Sequence, residues 1–158
     1  MPLPDDAGYA VPDVLAYLCG TWRVERTVGD FAAGRGVPLE GRFTGVTRFT
    51  ALPGADGGGL LHHESGTFTW RGVARPAERT LRFLPGGAPG TAVVRFADGR
   101  PFHDLDLRTG RHTADHPCAA DLYRGEFTVA AEDRWGTRWR VRGPAKDLLL
   151  TTQYTRVA

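Results

Sequence analysis

Residues 112–125, HTADHPCAADLYRG, bring two histidines, a cysteine, two aspartates and a tyrosine into fourteen positions. Side chains of these types ligate metals, move protons or attack carbonyl carbons. His112, His116 and Cys118 have the chemistry for zinc, but structural zinc takes four ligands, and a catalytic site takes three and a water. Their H-x3-H-x-C spacing lies on no expected helix and has no CxxC beside it. Another ligand would have to come from His103 or Asp121 through the fold. Cys118 as a nucleophile would need His116 or His103 as its base, and no hydrolase signature surrounds it. Pro117 biases His116 toward an extended backbone. The stretch therefore reads first as a loop feeding a strand that starts near Asp121, second as a pocket rim and third as a metal site. No bound metal is expected. Lys146 is the sole lysine, hence the one side-chain amine nucleophile, and its setting GPAKD reads as a turn.

The elements that must position these groups are nearly all strands. VPDVLAYLCG at 11–20 holds one short helix, with Pro12 and Asp13 suited to a first turn and Gly20 to a stop. After Gly20, alternation of apolar and polar residues marks about nine strands. They run TWRVERTV, GRFTGVTRFTAL, LLHHESGTFTWRG, ERTLRFL, TAVVRFA, FHDLDLR, DLYRGEFTVAA, RWRVRG and DLLLTTQYTRV. Gly- and Pro-rich breaks separate them, and GDFAAGRGVP at 29–38 reads as a wide loop. So long an antiparallel meander must close or stack to protect its edges. A closed up-and-down β-barrel is the first expectation, with a β-sandwich behind it.

At 158 residues, 41% hydrophobic and 24% charged, the chain has the size and composition of one domain spanning 1–158. It has no apolar run long enough to span a bilayer. MPLPDDAGYA lacks the basic and apolar regions of a secretory signal. An intracellular, cytoplasmic protein with no membrane partner is expected, and Cys19 and Cys118 are expected as free thiols. A net charge of +2 names no electrostatic partner. Arg138, Arg140 and Arg142 alternate opposite Trp139 and Val141 and should project outward as a basic ladder. No RNA-binding signature accompanies it, so nucleic acid is not an expected partner. The oligomeric state is not legible.

Gly20-Thr21-Trp22, opening the first strand after a short helix, resembles the Gly-x-Trp signature of lipocalins and the wider calycin superfamily. The resemblance implies that Trp22 closes the barrel floor and that an arginine of a late strand packs over its ring, Arg156 first by position and Arg142 second. The chain further resembles a lipocalin-like bacterial domain family of unknown function. The matching stretches are FxDLDLRxG at 102–110, HPCAADLYRGEF at 116–127, and WRVRGPAKD with a terminal TxYTR at 139–156. That resemblance implies a fold and no activity. A haem role like that of some calycin barrels would need an axial ligand, and the last strand offers Tyr154 and no histidine. No cofactor is expected.

Alternation assigns the inward faces. Trp22, Val24 and Val28 carry Arg26 with them; Phe68 and Trp70 carry His62 and Glu64. Leu105 and Leu107 carry His103; Tyr123, Phe127 and Val129 carry Asp121; Leu148 and Leu150 align with Tyr154 and Arg156. Such an interior is more polar than a fatty-acid cavity requires. Its charges must pair, hold water or meet a ligand. One outcome is internal ion pairing of Arg26 or Arg156 with Glu64 or Asp121. The other is a polar, aromatic-walled pocket for a small organic molecule, with Arg26, His62, Glu64, Trp70, His116 and Tyr154 touching the ligand. The alternative function is a cofactor-independent cyclase, isomerase or dehydratase. There His103 or Asp121 would be the base, Tyr123 or Tyr154 the oxyanion donor and an arginine the carboxylate anchor.

Overall fold

Alternating patterns of this kind can bury one face only by curling the sheet on itself, and the chain does so. The computed structural model describes residues 8–32, 39–54 and 58–158. A short helix, α1 (Val14–Leu18), precedes ten strands. These are β1 (Gly20–Asp30), β2 (Leu39–Ala51), β3 (Leu60–Trp70), β4 (Val73–Pro85), β5 (Thr91–Phe96), β6 (Pro101–Asp106), β7 (Arg111–Cys118), β8 (Asp121–Ala131), β9 (Arg134–Arg142) and β10 (Asp147–Arg156). They form one antiparallel sheet in the order β6-β5-β4-β3-β2-β1-β10-β9-β8-β7, with β10 returning to pair with β1. The result is the expected all-β, up-and-down barrel.

Its two edges, β6 and β7, face each other across a seam. No backbone ladder joins them among the described residues. His112 Nε2 of β7 instead lies 3.0 Å from the Asp104 carbonyl of β6. The rings of Phe102 and His116 meet across the same line at 5.1 Å. Below the seam the N-terminal segment acts as a strap: Tyr9 N–H donates to Val129 O and Val11 N–H to Leu107 O.

The tenth strand is a correction. Residues 111–118 were expected to be a loop, and they form β7, paired with β8 from Arg111↔Thr128 to Cys118↔Asp121. The hairpin turn is Ala119-Ala120, with Ala119 at φ 53°. A residue with a Cβ is penalised in that region, so the turn carries none of the Gly, Asn or Asp that usually announces a hairpin. Pro117 is tolerated because β7 is a sheet edge. The wide loop expected over 29–38 begins later than it reads, since Gly29 and Asp30 belong to β1; residues 33–38 lie outside the described residues. So does most of the segment read for a signal, residues 1–7. Among the described residues no helix is long and apolar enough to cross a membrane.

The lower half of the barrel is a packed core. Asp13 caps α1 by accepting from Ala16 N–H at 3.1 Å, and Val14 and Leu18 turn into the barrel end. Trp22 is fully buried and donates from Nε1 to Leu18 O at 2.8 Å. The Arg156 guanidinium lies 4.1 Å from the Trp22 ring centroid and donates to the carbonyls of Tyr17 and Cys19. Register places the two opposite each other, Trp22↔Arg156. Arg142 sits at the other end of the barrel, near Asp147. One side chain thus closes the C-terminal end of α1 and roofs the tryptophan. Arg156→Ala is expected to lower stability by about 1–3 kcal/mol through loss of the cation–π contact and of two hydrogen bonds from a charged donor. Urea denaturation at neutral pH measures it; a loss under about 0.5 kcal/mol would place the arginine's contacts in solvent.

The upper half is built differently. Leu81 of β4 pairs with Phe96, the last residue of β5. From Val73 to Thr80, β4 therefore rises past β5 without a neighbour on that side. The β3–β4 hairpin stands above the seam, closed by a two-residue turn with Arg71 at φ 50° and Gly72 at φ 78°. Both positive angles suit the type I′ turn that matches strand twist.

Candidate ligand-binding cavity

At mid-height of the barrel four strands contribute five polar residues to a single network, two of them from β10. Arg26 of β1 reaches Glu64 of β3 through two parallel bonds, Nη1 to Oε2 and Nη2 to Oε1, both 2.9 Å. Arg26 Nε donates to Thr152 Oγ1 at 2.7 Å and Nη2 lies 3.3 Å from the Tyr154 hydroxyl, both on β10. Thr47 of β2 completes the carboxylate by donating to Oε1 at 3.1 Å. The pair is scarcely exposed, with side chains at 12% and 4%. Burial alone would raise the Glu64 carboxyl, but the Arg26 hydrogen bonds and charge outweigh it and hold the group at about 2. Burial likewise works against the Arg26 cation, and Tyr154 and Glu64 raise it above the ordinary arginine range. The expected ion pairing of Arg26 is therefore with Glu64. Tyr154 is fully committed too, its ring stacked on Trp135 at 3.8 Å and 3°.

Above this network lies a cavity of about 290 Å3, near the lower end of the range for small-molecule sites. Its walls are aromatic. Phe96 and Phe102 stack at 4.5 Å, and Phe102 continues onto Trp139 at 5.4 Å. His116 presents its edge to Phe96 and Phe102 and lies 5.9 Å from Tyr123. Trp139 keeps its place because it lies flat on Gly125, its register partner, where a Cβ would come within 2.5 Å of the indole. Cys118 stands at the rim as a free thiol, as Cys19 does elsewhere on the surface.

The remaining charge at this cavity belongs to Arg79 of β4. It lines the cavity, and no hydrogen bond or ion pair joins it to another described residue. Among the described residues no aspartate or glutamate lines the cavity.

Beneath the main space is an annex of about 30 Å3 that shares Arg79, Leu81, Phe102, Thr137 and Trp139 with it. His62, Phe83, His103, Phe127, Trp135 and Tyr154 complete its lining. His62 Nδ1 and Trp135 Nε1 are buried without a hydrogen-bond partner. Burial, then the charge of Arg79, lowers the His62 imidazole to about 3. His103 is lowered to about 4, chiefly by burial, and its Nδ1 sits 2.6 Å from Asp104 O. Both rings are neutral at pH 7, and His103 Nδ1–H is the donor of that contact.

The sequence-derived site residues divide accordingly. Arg26, His116 and Tyr123 line the main cavity, and His62, His103 and Tyr154 line the annex. Glu64 is spent on Arg26. Trp70 stacks on Phe68 at 6.2 Å near the hairpin tip, where both rings rest on Gly41, and it lines neither space. Asp121 is at the rim, 3.2 Å from Lys146 Nζ, and lines neither space. His103, Asp121 and Tyr123, grouped as a catalytic set from sequence, are therefore spread over annex, rim and main cavity. His112 is drawn to Asp104 at the seam. Among the described residues no group of three or more His, Cys, Asp and Glu is placed to hold a metal. The arginine ladder faces outward as expected; Arg140 pairs with Asp147 at 2.7 Å and covers the Phe31 ring at 4.9 Å. Sequence reasoning missed Arg79, Phe96 and Phe102 as cavity residues, and Cys118 entered it only within a stretch read second as a pocket rim.

Residues 18–156 match the model of DUF6314, a family of unknown function. The chain belongs to the DUF6314 family. Among solved structures the DUF6314 barrel resembles an S-type phycobiliprotein lyase from Guillardia theta, with a TM-score of 0.70 at 10% identity over 95% of this chain and 94% of that one. It also resembles a protein of unknown function from the DUF3598 family of Nostoc punctiforme PCC 73102, with a TM-score of 0.63 at 12% identity. That alignment covers 99% of this chain but 53% of the other, so the DUF6314 barrel spans about half of it. At such identities the likeness establishes the fold alone. A search of curated proteins finds no match.

Proposed function

We propose that this barrel binds a small organic molecule in the upper cavity. The observation that carries the reading is the contrast between the two halves of one interior. Below, Trp22, Phe49, Phe127 and Trp135 fill the space with the protein's own rings. Above, Phe96, Phe102, Tyr123 and Trp139 wall a space of about 290 Å3 that the chain leaves open. Lining an open space with apolar rings forfeits the packing they would gain in a core. A ligand restores it. One barrel of this architecture is a phycobiliprotein lyase, but at 10% identity it supports the shape of the container and not the contents. Binding without turnover is favoured over a cyclase, isomerase or dehydratase because His103 and Tyr154 meet only in an annex of about 30 Å3, too small for a substrate, while Tyr123 lines the main cavity and Asp121 lies at the rim.

Titration with anilinonaphthalene sulfonate, an anionic aromatic dye, tests the reading. The native protein at pH 7 is expected to saturate at one site with enhanced dye fluorescence. Leu150→Trp, which fills the cavity from β10, is expected to abolish the signal while keeping a cooperative thermal transition. Equal dye binding by wild type and variant would place the dye elsewhere and sink the cavity reading.

A further inference from the structure

We infer that the ligand is a compact hydroxylated aromatic acid whose carboxylate pairs with Arg79 and whose hydroxyl enters the annex between His62 and Trp135. The inference rests on the cavity being a binding site and specifies what it takes.

The charge balance supports the carboxylate. Two guanidinium groups line the cavity, Arg26 and Arg79. Arg26 is neutralised by Glu64 through a bidentate pair, so it presents no uncompensated charge. Arg79 is the register partner of Glu64 on β4, yet Glu64 accepts from Arg26 and Thr47 instead. Arg79 has the strand parity of Leu81 and Phe83 but is exposed where β4 rises past β5, at the mouth of the cavity, and its field reaches His62, Glu64 and Tyr154. With no acidic side chain among the described residues lining the cavity, solvent or a ligand supplies the counter-charge to Arg79. A guanidinium favours a planar oxyanion that can accept two parallel bonds, which is the geometry of a carboxylate.

The walls support a flat aromatic body. The Phe96–Phe102–Trp139 run presents ring faces within 12° and 26° of parallel at successive steps. An aromatic slab can stack there, whereas a branched aliphatic chain meets those faces poorly.

The annex supports the hydroxyl through two unpartnered polar atoms. A neutral imidazole nitrogen without a proton accepts, and an indole N–H donates. His62 Nδ1 and Trp135 Nε1 are both buried and unpartnered, and both residues line a space of about 30 Å3. That is room enough for one water-sized polar group. A single hydroxyl can donate to the imidazole and accept from the indole, satisfying two groups that are otherwise costly to bury. The annex opens on the main cavity through the residues they share.

Calorimetric titration of the whole protein with four probes tests this. They are 4-hydroxycinnamate, its amide, cinnamate and indole. The hydroxylated acid is expected to bind about ten- to a hundredfold more tightly than its amide, as a hydrogen bond to a charged group implies. That preference should vanish in Arg79→Gln, whose surface position leaves folding intact. Cinnamate, lacking the hydroxyl, is expected to bind about tenfold more weakly than 4-hydroxycinnamate. If amide and acid bind alike, or Arg79→Gln retains the preference, the carboxylate assignment is overturned while the cavity stands. Equal binding of cinnamate and its hydroxylated form would overturn the annex assignment. If none of the four binds, indole included, the cavity reading fails with the inference.

Discussion

Glu64→Leu, with Arg26 left in place, is expected to lower stability by about 3–5 kcal/mol. The carboxylate takes two bonds from Arg26 and one from Thr47, and its side chain is 4% exposed. Removing it strands a guanidinium at mid-barrel with Thr152 and Tyr154 as its remaining partners. Arg26 borders the cavity above, but its side chain is only 12% exposed, so solvent relieves little of that charge. The cost is that of an uncompensated buried cation rather than the net worth of the pair, so Arg26→Met combined with Glu64→Leu should recover most of the loss. Urea denaturation of the wild type, both single variants and the double variant at pH 7 gives the coupling directly. If Glu64→Leu costs under about 1 kcal/mol, the ion pair is solvated as surface pairs are. The same pair has a functional consequence. By occupying Arg26 it leaves Arg79 to set the charge preference of the cavity above.

The alternation from Thr21 to Val28 was enough to put Trp22, Val24 and Arg26 on one face, and the structure keeps them there. The Gly-x-Trp opening and the late Arg156 were legible because a tryptophan at a barrel end needs a flat cover, and the register supplies one. β7 was illegible for local reasons. Its turn is Ala119-Ala120, its body holds Pro117, and its polar residues are those that usually signal a loop. The seam and the β8 ladder, both non-local, override these preferences. Alternation also reports which face a residue takes and not its height along the barrel. Trp70 and Asp121 share their strands' inward parity, but one stands near the hairpin tip and the other on the rim. Arg79 was recoverable: in ERTLRFL it alternates with Leu81 and Phe83, opposite Glu78, Thr80 and Arg82. What no pattern could reveal is that β4 outruns β5 there, which is what opens the cavity.

The two interior histidines make the barrel sensitive to mild acid, and the direction follows from their burial. An unfolded chain protonates its imidazoles as pH falls through about 6.5, the ordinary histidine value. In the folded barrel His62 resists protonation until about 3 and His103 until about 4. Between these values the unfolded state holds more protons, so stability is complete at neutral pH and falls as acid is added. For His62 alone the loss from pH 7 to pH 5 is about 2 kcal/mol by linkage. His103, less deeply buried, adds to it with the same sign. Glu64, held at about 2, extends the loss once pH drops through the ordinary carboxylate range. His62→Leu keeps an apolar group between Phe49 and Phe83 and removes the titration. Its stability is expected to fall by about 2 kcal/mol less than wild type across that interval, read from urea midpoints at pH 7, 6 and 5. Parallel curves for the two proteins would mean that His62 accepts a proton in place. Arg79 shapes the same response, because its charge stands second to burial among the causes that keep His62 neutral. An anion seated on Arg79 offsets that charge and eases protonation of His62. A hydroxyl donating to His62 Nδ1 opposes that effect, so cinnamate should flatten the acid response of the wild type more than 4-hydroxycinnamate does, and neither should change that of His62→Leu.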